Sequence, residues 1–137
     1  MGFCANDNLI NTPGAETTDE SSKVRVLDVR YGESISALKA VYAINGRAFI
    51  ASSDNTSIND RMLGVVMEAG NIGYLGKVQV SGEMEDASWN WGNGAIYLGI
   101  NGNLTQTPPI IGFNCQVGVA ISPTKMIVGI KNSVLIA

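Results

Sequence analysis

Histidine is absent from this chain of 137 residues, and only 15% of its side chains are charged. Histidine is the commonest general base and metal ligand, so a Ser-His-Asp or Cys-His site within one chain is excluded. Cysteine is scarce as well. Cys4 and Cys115 lie far apart with no CxxC pair, which leaves a zinc or redox motif nothing to build on and implies no metal and no cofactor. The two thiols are expected to be unpaired, with Cys115 buried in a strand; a disulfide within or between chains is the alternative.

Positive charge is also sparse. The net charge is −3, and without clustered Lys and Arg there is no footprint for a phosphate backbone, so direct nucleic-acid binding is not expected. No stretch of about 18 uninterrupted apolar residues occurs, which argues against a membrane helix. The opening residues Met1 to Asn8 lack the basic start and apolar run of a secretory signal. The expectation is a soluble protein synthesised in a cytoplasm.

What is present points to β-structure. Sixteen glycines, four prolines and 45% hydrophobic residues suit many short strands joined by turns around one core. Residues 1–22 carry Asp7, Glu16, Asp19 and Glu20, no Lys or Arg, and few large apolar side chains. This stretch reads as a polar N-terminal arm: either a disordered tail, or an arm that orders on a neighbouring subunit with Leu9-Ile10 as its anchor. Residues 23–137 read as a single β-rich domain.

Within it, strands are predicted at Val24 to Arg30, Leu63 to Met67, Gly76 to Gly82, Ala95 to Leu98, Asn114 to Ile121, Lys125 to Ile130 and Ser133 to Ile136. Ala40 to Ile44 and Arg47 to Ala51 flank Asn45-Gly46, the dipeptide best suited to a type I′ turn, and predict a tight hairpin. Residues 54 to 62 predict a loop or one helical turn. The whole is all-β, a compact small barrel or sandwich with an extended N-terminal arm.

Candidate chemistry is thin. Glu83, Glu85 and Asp86 stand near Trp89 and Trp91, a combination a glycosidase could use, but Gly82 suggests a solvated acidic turn, and no enzyme activity is expected. The Gly-rich turns lack the Lys and Ser/Thr of a phosphate loop, and Asp54, Asn55, Asn59 and Asp60 lack calcium-loop spacing. Trp89 and Trp91, two residues apart, share a face if extended. With Tyr97 they either form an aromatic shelf for a sugar, cover one end of the barrel, or plug a subunit contact.

The run Trp89-Asn90-Trp91-Gly92-Asn93-Gly94-Ala95-Ile96-Tyr97-Leu98-Gly99-Ile100-Asn101-Gly102-Asn103-Leu104-Thr105-Gln106-Thr107-Pro108-Pro109, followed by Gln116 to Thr124, resembles a segment of tailed-bacteriophage structural proteins. It is similar to the small β-domain of head-decoration, head-fibre or tail-associated accessory proteins. The resemblance covers residues 60 to 137. It implies a virion structural protein, expected as a head-decoration (capsid cement) subunit that binds major capsid or tail proteins, with a homotrimer as the working unit. It implies no catalytic or cofactor residues. The alternative is a tail- or collar-associated domain that binds a receptor or glycan.

The physical support for assembly is charge. From residue 87 onwards there is no acid, and Lys125 and Lys131 are the only charges, far below an ordinary soluble surface. Apolar residues fall on both faces of the predicted strands, so one core-facing row cannot absorb them all. Trp89, Trp91, Tyr97, Val128 and Ile130 are the predicted interface residues.

Overall fold

The fold is described from a computed structural model, which places residues 23–136. The predicted arm, residues 1–22, lies outside the described residues. The described residues are all-β, with 5% helix and 50% strand. Among them eleven strands run in order: β1 (Arg25–Tyr31), β2 (Ala40–Ile44), β3 (Arg47–Ile50), β4 (Met62–Val66), β5 (Leu75–Glu85), β6 (Gly94–Leu98), β7 (Leu104–Thr105), β8 (Phe113–Asn114), β9 (Gln116–Ser122), β10 (Lys125–Gly129) and β11 (Val134–Leu135).

The first five close a barrel. Their order is β1-β3-β2-β4-β5, and β5 returns to pair with β1. All these pairings are antiparallel except β1 with β3. The β2–β3 hairpin matches its prediction: Val41 faces Ile50 and Ile44 faces Arg47, with Asn45 at φ 53° and Gly46 at φ 77°, the two positive angles a type I′ turn demands. The polar stretch before β4 contains one 3₁₀ turn, Thr56–Ile58, in which the Ser57 N–H donates to the Asn55 side-chain oxygen.

Strand β5 is longer than the barrel needs, and the excess builds a second sheet. Its first half pairs with β1 and β4, and its second half pairs with β10. From there the sheet continues β10-β9-β6-β7. Alternation along the shared strands divides the apolar residues into two cores. Tyr31, Ile35, Val41, Ala48, Val66 and Val78 form one cluster, with Ile50, Leu63 and Val80 against it. Ala40, Val65, Met84, Ile96, Leu98, Val117, Met126 and Val128 belong to the other, which joins barrel strands to the second sheet. Strands β2 and β4 thus bury both faces.

The sequence reading ended this strand at Gly82 and took Glu83 to Asp86 as a solvated acidic turn. The structure carries the strand through to Glu85, with Met84 buried and Glu83 and Glu85 exposed on the opposite face. Gly82 is a bend inside the strand. It sits at φ 96°, and a Cβ built there would stand 2.5 Å from Val24 Cα and 2.7 Å from the Lys23 carbonyl carbon. Beside it the buried Gln79 amide donates to the carbonyls of Ser81, Gly82 and Glu83, at 3.2, 3.1 and 2.8 Å. One buried side chain thereby ties three successive carbonyls of the bend.

Two glycine substitutions separate turn strain from steric exclusion. Gly46→Val meets open space and is expected to cost about 1 kcal/mol or more from its positive φ alone. Gly82→Ala adds a clash with backbone to the same kind of strain and is expected to cost about 2–4 kcal/mol. Urea unfolding of both variants checks the ranking; equal midpoints would contradict the role given to Gly82.

Candidate functional site

The uncharged last third divides between a buried face and an exposed one. On the inner face of the second sheet, Ile96, Leu98, Met126 and Val128 are fully buried. On the outer face, Ala95 pairs with Val119, Val119 with Ile127, and Ile127 with Glu83, making one cross-strand row. Val119 is 41% and Ile121 50% exposed, while Tyr97 and Ile127 are half-buried. Charge enters this face only at the β5 side, where Lys125 meets Glu83 at 3.4 Å. The expectation that apolar side chains occupy both faces therefore holds, and the second face has no cover within the described residues.

The predicted interface residues do not form one patch. Val128 belongs to the subunit's own core, fully buried opposite Gly82; its alternation points it inward, so it has no surface to offer a partner. Ile130 is half-buried against the same core and, with Met62 and Lys131, lines a polar recess. Trp89 and Trp91 also pack against that core, their ring centroids 5.4 Å apart at 45°.

Tyr97 points the other way, because it alternates with the buried Ile96 and Leu98. The three aromatic residues thus fall on two faces and build no common shelf for a sugar. Of the five, Tyr97 alone lies on the exposed outer face. The tryptophans cover the second core, as one of the sequence alternatives had it, although what they cover is the sheet-to-barrel core and not the barrel's end.

The loop that carries the tryptophans is tied to the β9–β10 turn. Asp86 N–H donates to the Thr124 carbonyl at 3.0 Å and Trp91 N–H to the Pro123 carbonyl at 2.9 Å. The Asp86 carboxylate accepts from the Ser88 N–H at 3.0 Å and from its hydroxyl, and these bonds to the charged form hold its pKa below the ordinary value. The Gln106 amide closes a two-way bond with Gly92, at 2.8 and 2.7 Å. Trp91 Nε1 is buried without a hydrogen-bond partner among the described residues.

Among the described residues no group of three or more His, Cys, Asp or Glu is placed to hold a metal ion. Cys115 is buried, and burial pushes its thiol up to about 11, so little thiolate exists at neutral pH. Among the described residues no helix is long and apolar enough to cross a membrane.

Sequence reasoning missed a group of exposed apolar residues. Ile110 is 86% and Ile111 66% exposed, in the loop after Pro108-Pro109, and Val134 and Leu135 on β11 are also bare. Strand β11 pairs with β8, and Ile136 N–H donates to the Gly112 carbonyl, so these residues sit near one another. Two isoleucines in an uncharged, non-alternating loop were the available signal, since a loop has no core face to bury them.

No protein-family model matches the chain, and no curated protein matches it.

Replacing inner- and outer-face residues by the same side chain tests the division. Val128→Glu buries an unpaired carboxylate, whose cost of several kcal/mol rivals the stability of a domain, and is expected to abolish cooperative melting. Ile121→Glu, measured at a concentration below association, is expected to change stability by no more than about 0.5 kcal/mol. A Val128→Glu protein that melts like the wild type would contradict the assignment of faces.

Proposed function

We propose that this chain is a non-catalytic structural subunit that self-associates and packs onto other proteins of a tailed-phage particle, as a head-decoration protein does. The observation that carries the reading is the outer face of the second sheet: Ala95, Val119 and Ile127 in one row, with Tyr97 and Ile121 beside it. A sheet with both faces apolar gains by covering the second one, and closed symmetry lets identical copies do so without open-ended growth. Tyr97 supplies the aromatic anchor typical of interface centres. Lys125, Glu83 and Glu85 lie at the edge, where charges steer association without being desolvated.

The trimer number and the place on the virion come from the resemblance of residues 60 to 137 to phage accessory proteins. The sheet itself supports only the choice of face. An enzyme reading has less behind it: the carboxylates Glu83 and Glu85 are on the exposed face of β5, and Lys125 neutralises the first. A sugar shelf loses its third aromatic to the opposite face of β6.

Light scattering on the purified protein tests the proposal. The expected mass at micromolar concentration is that of an oligomer, and three chains if the resemblance holds in detail. Val119→Glu, at an exposed site, is expected to stay folded and to weaken association at least about ten-fold. A wild-type monomer at micromolar concentration, or an oligomer indifferent to Val119→Glu, would contradict it.

A further inference from the structure

We propose that the groove beside β7 is a seat for this chain's own N-terminal segment, with Leu9 and Ile10 as the residues it takes. The groove is about 680 Å³, within the ~300–1,000 Å³ range of pockets that take a ligand. Ile100, Leu104, Pro108, Ile110 and Ile111 form its apolar wall, and no charged residue lines it. Among the described residues strand β7 ends the sheet order and pairs with β6 alone. Its other edge is open to pairing by an extended segment, while the neighbouring groove takes that segment's side chains.

Three observations favour residues 7 to 10 as occupant. The first is chemical match. Leu9-Ile10 is the only adjacent pair of large aliphatic residues in the first 22 positions, flanked by Asn8 and Asn11. Asparagine can satisfy a strand edge at a groove without bringing charge into it.

The second is charge. Residues 1–22 hold four acids and no Lys or Arg. At the groove's rim the Lys39 ammonium donates to the Asn103 side-chain oxygen at 2.6 Å, and Asn103 itself lines the groove. Asp7, two residues before Leu9, is the acid placed to meet Lys39 when Leu9 enters.

The third is reach. The described chain starts at Lys23, whose carbonyl accepts the Ser81 hydroxyl at 2.7 Å, so the segment departs from β5. Strand β7 is four strands away in the order β5-β10-β9-β6-β7, roughly 19 Å at the ordinary strand spacing. About 13 residues separate Ile10 from Lys23 and span up to roughly 45 Å. Both the subunit's own groove and that of an adjacent copy are within range. This inference does not depend on the outer face of the second sheet, and its test avoids that face.

The test uses the full chain with its own segment disabled by Leu9→Asp and Ile10→Asp. The probe is a fluorescent synthetic peptide of residues 1–22, followed by anisotropy. Saturable binding is expected. Adding Ile110→Asp and Ile111→Asp, at sites too exposed to matter for folding, is expected to weaken it at least about ten-fold. Ile72→Asp, in the exposed barrel loop, is expected to leave it unchanged. The unmodified chain is expected to bind the peptide more weakly than the disabled chain, because its own segment competes. Lys39→Glu is expected to weaken binding, and a peptide carrying Asp7→Lys to recover it. No binding to the disabled chain would overturn the proposal. So would binding indifferent to the Ile110 and Ile111 changes, with a melting curve confirming that this variant is folded.

Discussion

Strand β5 serves two sheets, and the fold depends on its ability to bend at Gly82. Up to that residue the strand belongs to the barrel, and beyond it to the second sheet. The positive φ at Gly82 and the backbone of Val24 packed over it admit no side chain. Gln79 donates to three carbonyls of the bent segment. Beyond the bend β5 carries the second sheet, and Val65 and Tyr42 of the barrel share one core with Ile96 and Val128 of that sheet. The second core exists because one strand turns.

That geometry also explains which parts of the fold were legible in the sequence. Local signals read correctly: Asn45-Gly46 specified its own turn, because the required backbone angles are available to those two residues and few others. The strands at Ala40 to Ile44 and Arg47 to Ile50 followed from it. The 3₁₀ turn at Thr56–Ile58 was within what the polar stretch allowed. Gly82 misled, since a glycine after an alternating run signals a turn as readily as a bend. Only the long-range contact with Val24 distinguishes the two.

The surfaces were legible in part. The absence of acids after Asp86 correctly indicated that apolar side chains occupy both faces of the last strands. It could not say which face turns inward, because β6 and β10 carry apolar residues on both of their regularly alternating faces. Val128 was therefore assigned to an interface although it is core, and the tryptophans were grouped with Tyr97 across a sheet. The exposed Ile110 and Ile111 sit in a loop where periodicity carries no information. A charge-poor sheet face and an apolar groove are the two surfaces on which the proposed contacts rest.

The central claim is that the outer face of the second sheet is covered when copies associate. Hydroxyl-radical footprinting over a range of protein concentrations tests it at the side chains themselves. Tyr97 and Ile121 are predicted to lose labelling as concentration rises through the association range, while Ile72, exposed on the barrel, keeps its labelling throughout. Equal labelling of Tyr97 and Ile121 at every concentration would contradict the account.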